Sequence, residues 1–182
     1  MTNGRVKGNA FENAICFALS RWLASKQTPK RAKVYDLPFR RRSTSIMPMV
    51  GHWDGQGDIL HKPGIESPFC IECKKQEGWE LDGMLYADKW PVWKWWEQCR
   101  RQAAKVRLSP LLIFNRNRRP IYAMLLGVDA LCLEPRPKHG PVLVVERPGS
   151  LGTVMVLRLD DLVRVPAHKV IQELGPGVAT NS

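Results

Sequence analysis

The chain has 182 residues and carries 28 Lys and Arg against 17 Asp and Glu, which gives a formal net charge of +11 at pH 7. This length suits one domain with a substantial hydrophobic core and leaves little room for two. A chain this basic is expected to bind a polyanion, either nucleic acid or an anionic membrane surface. No apolar run approaches the length of a membrane span and the N-terminus lacks the apolar core of a signal peptide, so we expect a cytoplasmic protein without a membrane segment.

The first predicted element is an amphipathic helix from about Phe11 to Ser25, with Asn9 as its N-cap and residues 1–9 loose or lying across a partner. Glu12 falls within the apolar stripe of this helix and not on its solvent face. A carboxylate in the first turn suits the helix dipole. Its inward position makes it equally a candidate active-site group, and the sequence leaves both interpretations open.

Residues 34–39 are predicted to form the first strand, and the segment that follows is unusually rich in phosphate-binding groups. Arg40–Arg42 are three successive guanidiniums, and Ser43–Ser45 are three successive hydroxyls. Guanidinium forks bind phosphate through two hydrogen bonds and hydroxyls add further contacts, so this loop is predicted to bind a nucleic-acid backbone. His52, in the Gly- and Pro-punctuated stretch after it, is most simply a surface residue, with a proton shuttle or phosphate contact as alternatives.

Charged residues interrupt apolar runs between Gly57 and Lys75. Asp58 opens the run 59–60, while Glu72 and Lys74 alternate with apolar residues and therefore share one face of a strand. The turn-forming residues 62–64 predict a β-hairpin that brings Asp58 close to Glu72. Two adjacent carboxylates repel unless a cation lies between them, and Mg²⁺ or Mn²⁺ suits oxygen ligands. The stretch thus predicts a metal site with a lysine beside it. Asp54 is the alternative metal ligand. We prefer Asp58 because Asp58 opens an apolar strand.

The segment Pro91–Arg107 predicts a second helix with proline in its first turn. Trp90, Trp93, Trp95 and Trp96 cluster here. Such clusters more often pack in a core or at a dimer interface than stack on bases. The basic flank of the same helix is expected to line a DNA groove.

The residues after the Trp-rich helix are predicted to form strands and their connections. Residues 111–115 and 120–126 predict a hairpin with a basic tip, and 142–146 with 154–159 predict a terminal hairpin after a Pro-rich connector. Asp160-Asp161 caps a short helix or closes the sheet. We expect a single domain over residues 1–174, with a core from about 8 to 134 and a C-terminal extension over 135–174. Residues 175–182 are expected to be a flexible tail.

The five cysteines do not form a metal-binding pattern. They are Cys16, Cys70, Cys73, Cys99 and Cys132. An odd number scattered through apolar segments predicts buried thiols in a reducing compartment. Cys70 and Cys73 form a CxxC pair, but a strand points them to opposite faces and no second pair is present in the sequence, so zinc binding is not expected.

The order of a helix carrying Glu12, a strand opened by Asp58 and a strand carrying Glu72-Cys73-Lys74 resembles the PD-(D/E)xK nuclease superfamily. Over residues 5–115, with the arginine and serine loop included, it is most similar to the archaeal-type Holliday junction resolvases. The resemblance implies an α/β fold with a central mixed sheet flanked by helices. The Trp-rich helix and the C-terminal β-hairpin extension have no counterpart in it. Gly57 stands where these enzymes often have proline. A chain this basic and compact suits a phage enzyme.

The resemblance also implies a metal-dependent site. Asp58, Glu72 and the backbone carbonyl of Cys73 would hold one or two Mg²⁺ ions, which Mn²⁺ can replace, and Glu12 would complete the shell directly or through water. Lys74 would orient the attacking water or help to deprotonate it. Its pKa would be either lowered by partial burial or raised by Glu72, which would hold its charge.

By the same resemblance, the protein would be a homodimer that hydrolyses a four-way DNA junction by two symmetric cuts. It would act in recombination and repair, and in the host cytoplasm if the gene is a phage gene. The dimer face would be the Trp-rich helix or the hairpin over 111–126. Alternatives are the same chemistry on duplex, flap or single-stranded DNA, or a non-catalytic DNA-binding protein. The candidate DNA contacts are Arg5, Lys7, Arg40, Arg41, Arg42, Ser43, Thr44, Ser45, Lys75, Arg101, Lys105 and Arg116.

Overall fold

The computed structural model describes residues 4–28, 30–42, 57–86, 89–133, 140–147 and 152–175. It contains a five-stranded mixed sheet with a hydrophobic core on each face, and a two-stranded sheet beside it. In chain order the helices and strands are α1 Gly4–Leu23, β1 Phe39–Arg41, β2 Ile59–His61, β3 Phe69–Lys75, α2 Gly83–Tyr86, α3 Pro91–Val106, β4 Ser109–Asn115, β5 Tyr122–Leu126, α4 Gly127–Leu131, β6 Leu143–Arg147, β7 Gly152–Arg158, α5 Leu159–Leu162 and α6 Ala167–Leu174. None of the helices within these ranges is long and apolar enough to cross a bilayer.

The strand order of the large sheet is β3-β4-β5-β7-β6. β3 and β4 are parallel, whereas the other neighbours are antiparallel. Parallel neighbours need a long crossover connection, which α3 supplies. The predicted hairpins are both present: β4 pairs with β5, and β6 pairs with β7, which also joins the sheet next to β5. The predicted fold class, a mixed sheet flanked by helices, is confirmed.

The two faces of β3 belong to different cores. Phe69, Ile71 and Cys73 pack with α1 in one core, as strand alternation predicts. The other face of the sheet packs against α3, whose Trp93, Trp95 and Trp96 are buried. These tryptophans therefore pack inside the chain's own core. The hairpin predicted as the alternative dimer face forms interior strands of the sheet, and most of the apolar side chains of both segments are buried within the chain.

The predicted hairpin between residues 59–61 and 69–75 is wrong. β2 pairs antiparallel with β1, and the contact with β3 is a parallel bridge between Gly57 and Ile71. Residues 62–64 do turn, and Gly64 has φ +79°. The turn leads into a crossover because β2 completes its hydrogen bonds with β1 and not with the strand that follows it.

The first strand begins later than the sequence predicts. Residues Val34–Asp36 form a 3₁₀ turn, and the strand begins at Phe39. The backbone N–H of Lys33 donates to Asp36 Oδ2 at 3.4 Å, a local bond that competes with strand pairing. Pro38, which has no N–H, separates this turn from the strand.

The first helix begins at Gly4, so the prediction of a loose segment up to residue 9 is wrong for the described residues. Asn9 lies inside α1 and does not cap it. Its Oδ1 accepts a hydrogen bond from Arg41 Nη1 at 3.1 Å, a tertiary contact that sequence spacing does not reveal. Four of the cysteines are buried as predicted, but Cys132 is exposed.

Candidate active site

Asp58 is held against the open edge of β3 by two hydrogen bonds. Its backbone N–H donates to the Ile71 carbonyl at 2.8 Å, and its Oδ2 accepts from the Cys73 N–H at 2.9 Å. The N–H and C=O of one strand residue point to the same edge, so the Cys73 carbonyl also faces Asp58. The predicted proximity of Asp58 to this strand is thus found, although a parallel bridge and not a hairpin produces it.

Gly57 makes this close approach possible. Its φ is +88°, and a Cβ there would lie 2.2 Å from the Ile71 carbonyl oxygen. Glycine meets both conditions because it has no Cβ and accepts positive φ. Proline, which the resolvases often have at this place, fixes φ near about −65°. Glycine in place of proline at position 57 therefore allows the backbone conformation that places Asp58 against β3.

Glu72 lies on the opposite side of β3 from the α1 core and is 1% exposed. Lys74 Nζ and Gln98 Nε2 both donate to its Oε1, each at 2.5 Å. Lys74 Nζ also lies 3.9 Å from Asp58 Oδ2. The second oxygen, Glu72 Oε2, is buried and has no hydrogen-bond partner among the described residues. A buried polar atom left in this state is costly, and a cation is one group that would satisfy it.

The charges in this group act on one another. Burial and the nearby Asp58 raise the pKa of Glu72 above its ordinary value, against the opposing effect of Lys74. Burial lowers the pKa of Lys74, but the hydrogen bond and charge of Glu72, with the charge of Asp58, outweigh it and raise that pKa. Lys74 is therefore an ammonium at neutral pH, which corresponds to the second of the two states inferred from the sequence.

Glu12 lies close enough to this group to interact with it electrostatically. Burial and the charge of Asp58 raise its pKa, while Arg41 and Lys74 lower it. Arg41 is itself held by Asn9, one helical turn before Glu12 on α1. The sequence-predicted carboxylates therefore come from three separate segments, and the charge of Asp58 raises the pKa of both Glu12 and Glu72.

The predicted ligands are of the kind that a hard divalent cation prefers. They are the carboxylates of Glu12, Asp58 and Glu72 and the Cys73 carbonyl, all of which offer oxygen, the ligand type that Mg²⁺ favours. Two observations favour a cation beside Glu72. Its Oε2 has no hydrogen-bond partner among the described residues, and the charge of Asp58 raises its pKa. Within the part of the chain that the structure describes, no three His, Cys, Asp or Glu side chains already converge as a ready-made metal cluster.

A family model described as "Phage putative PDDEXK endonuclease" matches residues 3–164. The chain belongs to this phage PDDEXK endonuclease family. The match includes α1, the strands with Asp58 and Glu72, α3 and the terminal hairpin. It identifies the protein as a nuclease of a superfamily that generally uses divalent metals and acts on DNA. A search of curated proteins and a search of solved structures found no match.

The basic residues of this endonuclease take several positions around the site. The backbone N–H of Arg42, directly after β1, donates to the Asp58 carbonyl at 2.7 Å, so the end of the arginine run lies against Asp58. Arg40 is half-buried, and burial lowers its pKa. Lys75 lies over the Phe11 ring, 5.9 Å from its centroid. Lys7 is exposed on α1, where Arg5 also lies.

Other predicted DNA contacts are farther from Asp58 along the chain. Arg101 and Lys105 are exposed on α3. Arg116 forms an ion pair of 2.5 Å with Glu80 and lies 5.7 Å from the Trp79 ring centroid, so it fastens the loop after β3 to the β4–β5 turn. The hydroxyl loop Ser43, Thr44 and Ser45, together with His52 and Asp54, lies outside the described residues.

Gln98 is the site residue that sequence reasoning missed. The sequence feature that could have indicated Gln98 is its position on α3, between the buried tryptophan face and the basic flank. A side-chain amide on a crossover helix is often only a surface group. Its contact with Glu72 depends on the register of α3 over β3, which the sequence does not specify.

Proposed function

We propose that the protein is a divalent-cation-dependent DNA endonuclease whose reaction centre consists of Glu12, Asp58, Glu72 and Lys74. The observation that carries this proposal is the buried, unpartnered Oε2 of Glu72 beside a second carboxylate, with a lysine ammonium on the other oxygen. Most buried polar atoms have a hydrogen-bond partner, so an exception calls for an explanation. A carboxylate whose pKa is raised by burial and by a neighbouring charge is a candidate for a functional site.

Asp58, Glu72 and the Cys73 carbonyl would hold Mg²⁺, with Glu12 as the supporting ligand and Mn²⁺ as a substitute. A divalent cation there supplies Lewis-acid stabilisation of the negative charge that builds on the phosphate during hydrolysis. The Cys73 N–H fixes Asp58 Oδ2, and Gln98 fixes Glu72 Oε1, so the remaining oxygens keep their orientation.

Lys74 acts as a fixed positive charge. Because its pKa is raised, it cannot take a proton from water at neutral pH. Its ammonium instead orients the attacking water and offsets the charge of the scissile phosphate.

We propose further that the substrate is a four-way DNA junction, cut symmetrically by a homodimer in the cytoplasm. The support is the likeness of the motif order to the archaeal-type resolvases. Each chain supplies one reaction centre, and paired symmetric cuts require two, so a two-fold dimer is the simplest assembly. Duplex, flap or single-stranded DNA are the alternative substrates of the same chemistry.

The test uses a synthetic four-way junction, a linear duplex and a flap in Mg²⁺, with the wild type, Glu72→Gln, Lys74→Ala and the exposed control Glu66→Gln. We expect symmetric nicks in the junction, retained by the control and lost in both site variants. Preferential cutting of linear duplex would overturn the junction specificity and leave the nuclease standing. Full cutting by both site variants would overturn the site.

A further inference from the structure

One side of α3 carries a straight row of polar side chains. Lys94, Gln98, Arg101 and Lys105 follow one another at intervals of four, three and four residues. At 100° per residue they lie within about 60° of arc and extend over about 16 Å of helix. We call this row the α3 track. Three of its members are exposed cations, and the fourth, Gln98, is half-buried.

Gln98 connects the track to the reaction centre. Its amide donates to Glu72 Oε1 at 2.5 Å, so the other three side chains lie in line with the carboxylate group. α3 is the crossover between the parallel strands β3 and β4, so it runs antiparallel to β3. Cys99 Sγ contacts the Cys70 carbonyl at 3.7 Å, which places the middle of α3 over β3. Lys94 therefore lies toward the C-terminal end of β3, and Arg101 and Lys105 lie toward its N-terminal end. The cations stand on both sides of Glu72.

The three cations are available for an external anion. Across the described residues, no carboxylate forms an ion pair with Lys94, Arg101 or Lys105, whereas Arg116 and Arg164 are paired with Glu80 and Asp161. Glu97, the acidic neighbour on α3, is exposed and lies about 60° around the helix from Lys94 and about 40° from Arg101, and it forms an ion pair with neither among the described residues. A solvated helix face usually alternates its charges. This row carries one sign only.

We propose that the α3 track binds the phosphates of the strand being cut, on both sides of the scissile phosphate. The inference rests on the proposed function and adds the path of the substrate to it. Ammonium and guanidinium groups bind phosphate oxygens without reading bases, so the track sets the register of the strand and contributes no sequence preference. Gln98 is a positioning residue here, since it acts through Glu72.

The test compares two triple variants that each remove three charges. The track variant is Lys94→Gln, Arg101→Gln and Lys105→Gln; the control is Lys26→Gln, Lys30→Gln and Lys169→Gln, three cations exposed elsewhere. Binding of a four-way junction and of a duplex is measured without divalent cation over a range of salt concentrations. Each lost phosphate contact lowers the slope of log K against log salt by about 0.9, so the track variant should lose about 2 to 3 and the control less than 1.

A second measurement locates the contact. Single phosphates of the strand are replaced by uncharged methylphosphonates around the cut. In the wild type, replacements flanking the cut should weaken binding, and in the track variant the same replacements should have no further effect. Equal slopes for the two variants, or replacements that weaken both proteins alike, would overturn the track. The proposed function would still hold after either outcome if Mg²⁺-dependent cutting persists. A wild type that binds DNA but never cuts it would overturn the proposed function instead.

Discussion

The side-chain amide of Gln98 lies 2.5 Å from Glu72 Oε1, the same oxygen that the Lys74 ammonium binds. Two donors on one oxygen hold the carboxylate in one orientation. The other oxygen is left buried and unpartnered among the described residues. The carboxylate is therefore preorganised toward whatever approaches Oε2, and its orientation depends on a residue from a different element.

Removing this amide should impair the site without unfolding the chain. We expect Gln98→Leu to reduce cutting and Mg²⁺ affinity by about 10- to 100-fold, as for other residues that orient metal ligands. The free energy of unfolding should fall by about 1–3 kcal/mol, because a buried carboxylate loses a donor. Gln102→Leu is the matched control, one turn farther along α3 and with its own Oε1 unpartnered in the described structure. Equal losses in the two variants would mean that α3 packing, and not the Glu72 contact, is responsible.

Gly57→Ala should displace Asp58. The new Cβ would lie 2.2 Å from the Ile71 carbonyl oxygen, so the segment must move away from β3 and the Cys73–Asp58 hydrogen bond must lengthen. Cutting should be lost and the Tm should fall. Gly64→Ala is the control, because Gly64 has a similar φ of +79° but no atom within 4 Å of its Cβ. It should cost about 1–2 kcal/mol of stability through backbone strain alone and leave cutting unchanged. Retained cutting in Gly57→Ala would contradict the role given to Asp58.

Local patterns gave reliable predictions in this chain. The alternation in β3 and the apolar face of α3 come from periods of two and 3.6 residues, and both are confirmed. The partner of a strand is a non-local property. The turn at Gly64 was predicted, yet β2 pairs with β1, more than fifteen residues earlier in the chain. Asp58 nevertheless lies beside Glu72, because Gly57 bridges β3 by a route that no turn signal indicates.

The part of the site that sequence could not reveal depends on tertiary register. Gln98 reaches Glu72 because α3 lies antiparallel over β3 with Cys99 above Cys70. Lys74 could have been neutral or charged on sequence grounds alone. Which state holds depends on the balance between burial and the distances to Glu72 and Asp58, and the structure supplies both.

Glu12→Gln should stabilise the protein in the absence of divalent cations. The pKa of Glu12 is raised in the folded state, so its ionised form is disfavoured by folding, and stability falls as pH rises from the ordinary value of 4.5 through the raised value. Glutamine removes this penalty. We expect a higher Tm than wild type at pH 7.5 in EDTA and no difference at pH below about 4, where Glu12 is protonated in both states.

The same variant should lose cutting activity and part of the Tm increase that Mg²⁺ gives the wild type, since it has lost a candidate ligand. Glu66→Gln, at an exposed position, should change neither quantity. A Tm difference between Glu12→Gln and wild type that is the same at every pH would contradict the burial and electrostatic origin of the shift.

The pH dependence of cutting should distinguish the two roles of Lys74. In the metal-free protein the pKa of Lys74 is raised above the ordinary 10.5, so its amine is an ammonium before a cation binds. If the charge is what catalysis requires, the rate in Mg²⁺ should rise as the carboxylates ionise and then stay level up to about pH 10. If the neutral amine were the general base, the rate would continue to rise tenfold per pH unit toward pH 10.

Lys74→Gln should reduce the rate by about 10²- to 10³-fold, as for the loss of one charge-stabilising donor. Lys74→Arg keeps the charge with a different shape and should retain part of the rate at neutral pH. An arginine variant as inactive as the glutamine variant, together with a rate still rising at pH 10, would assign Lys74 to proton transfer instead.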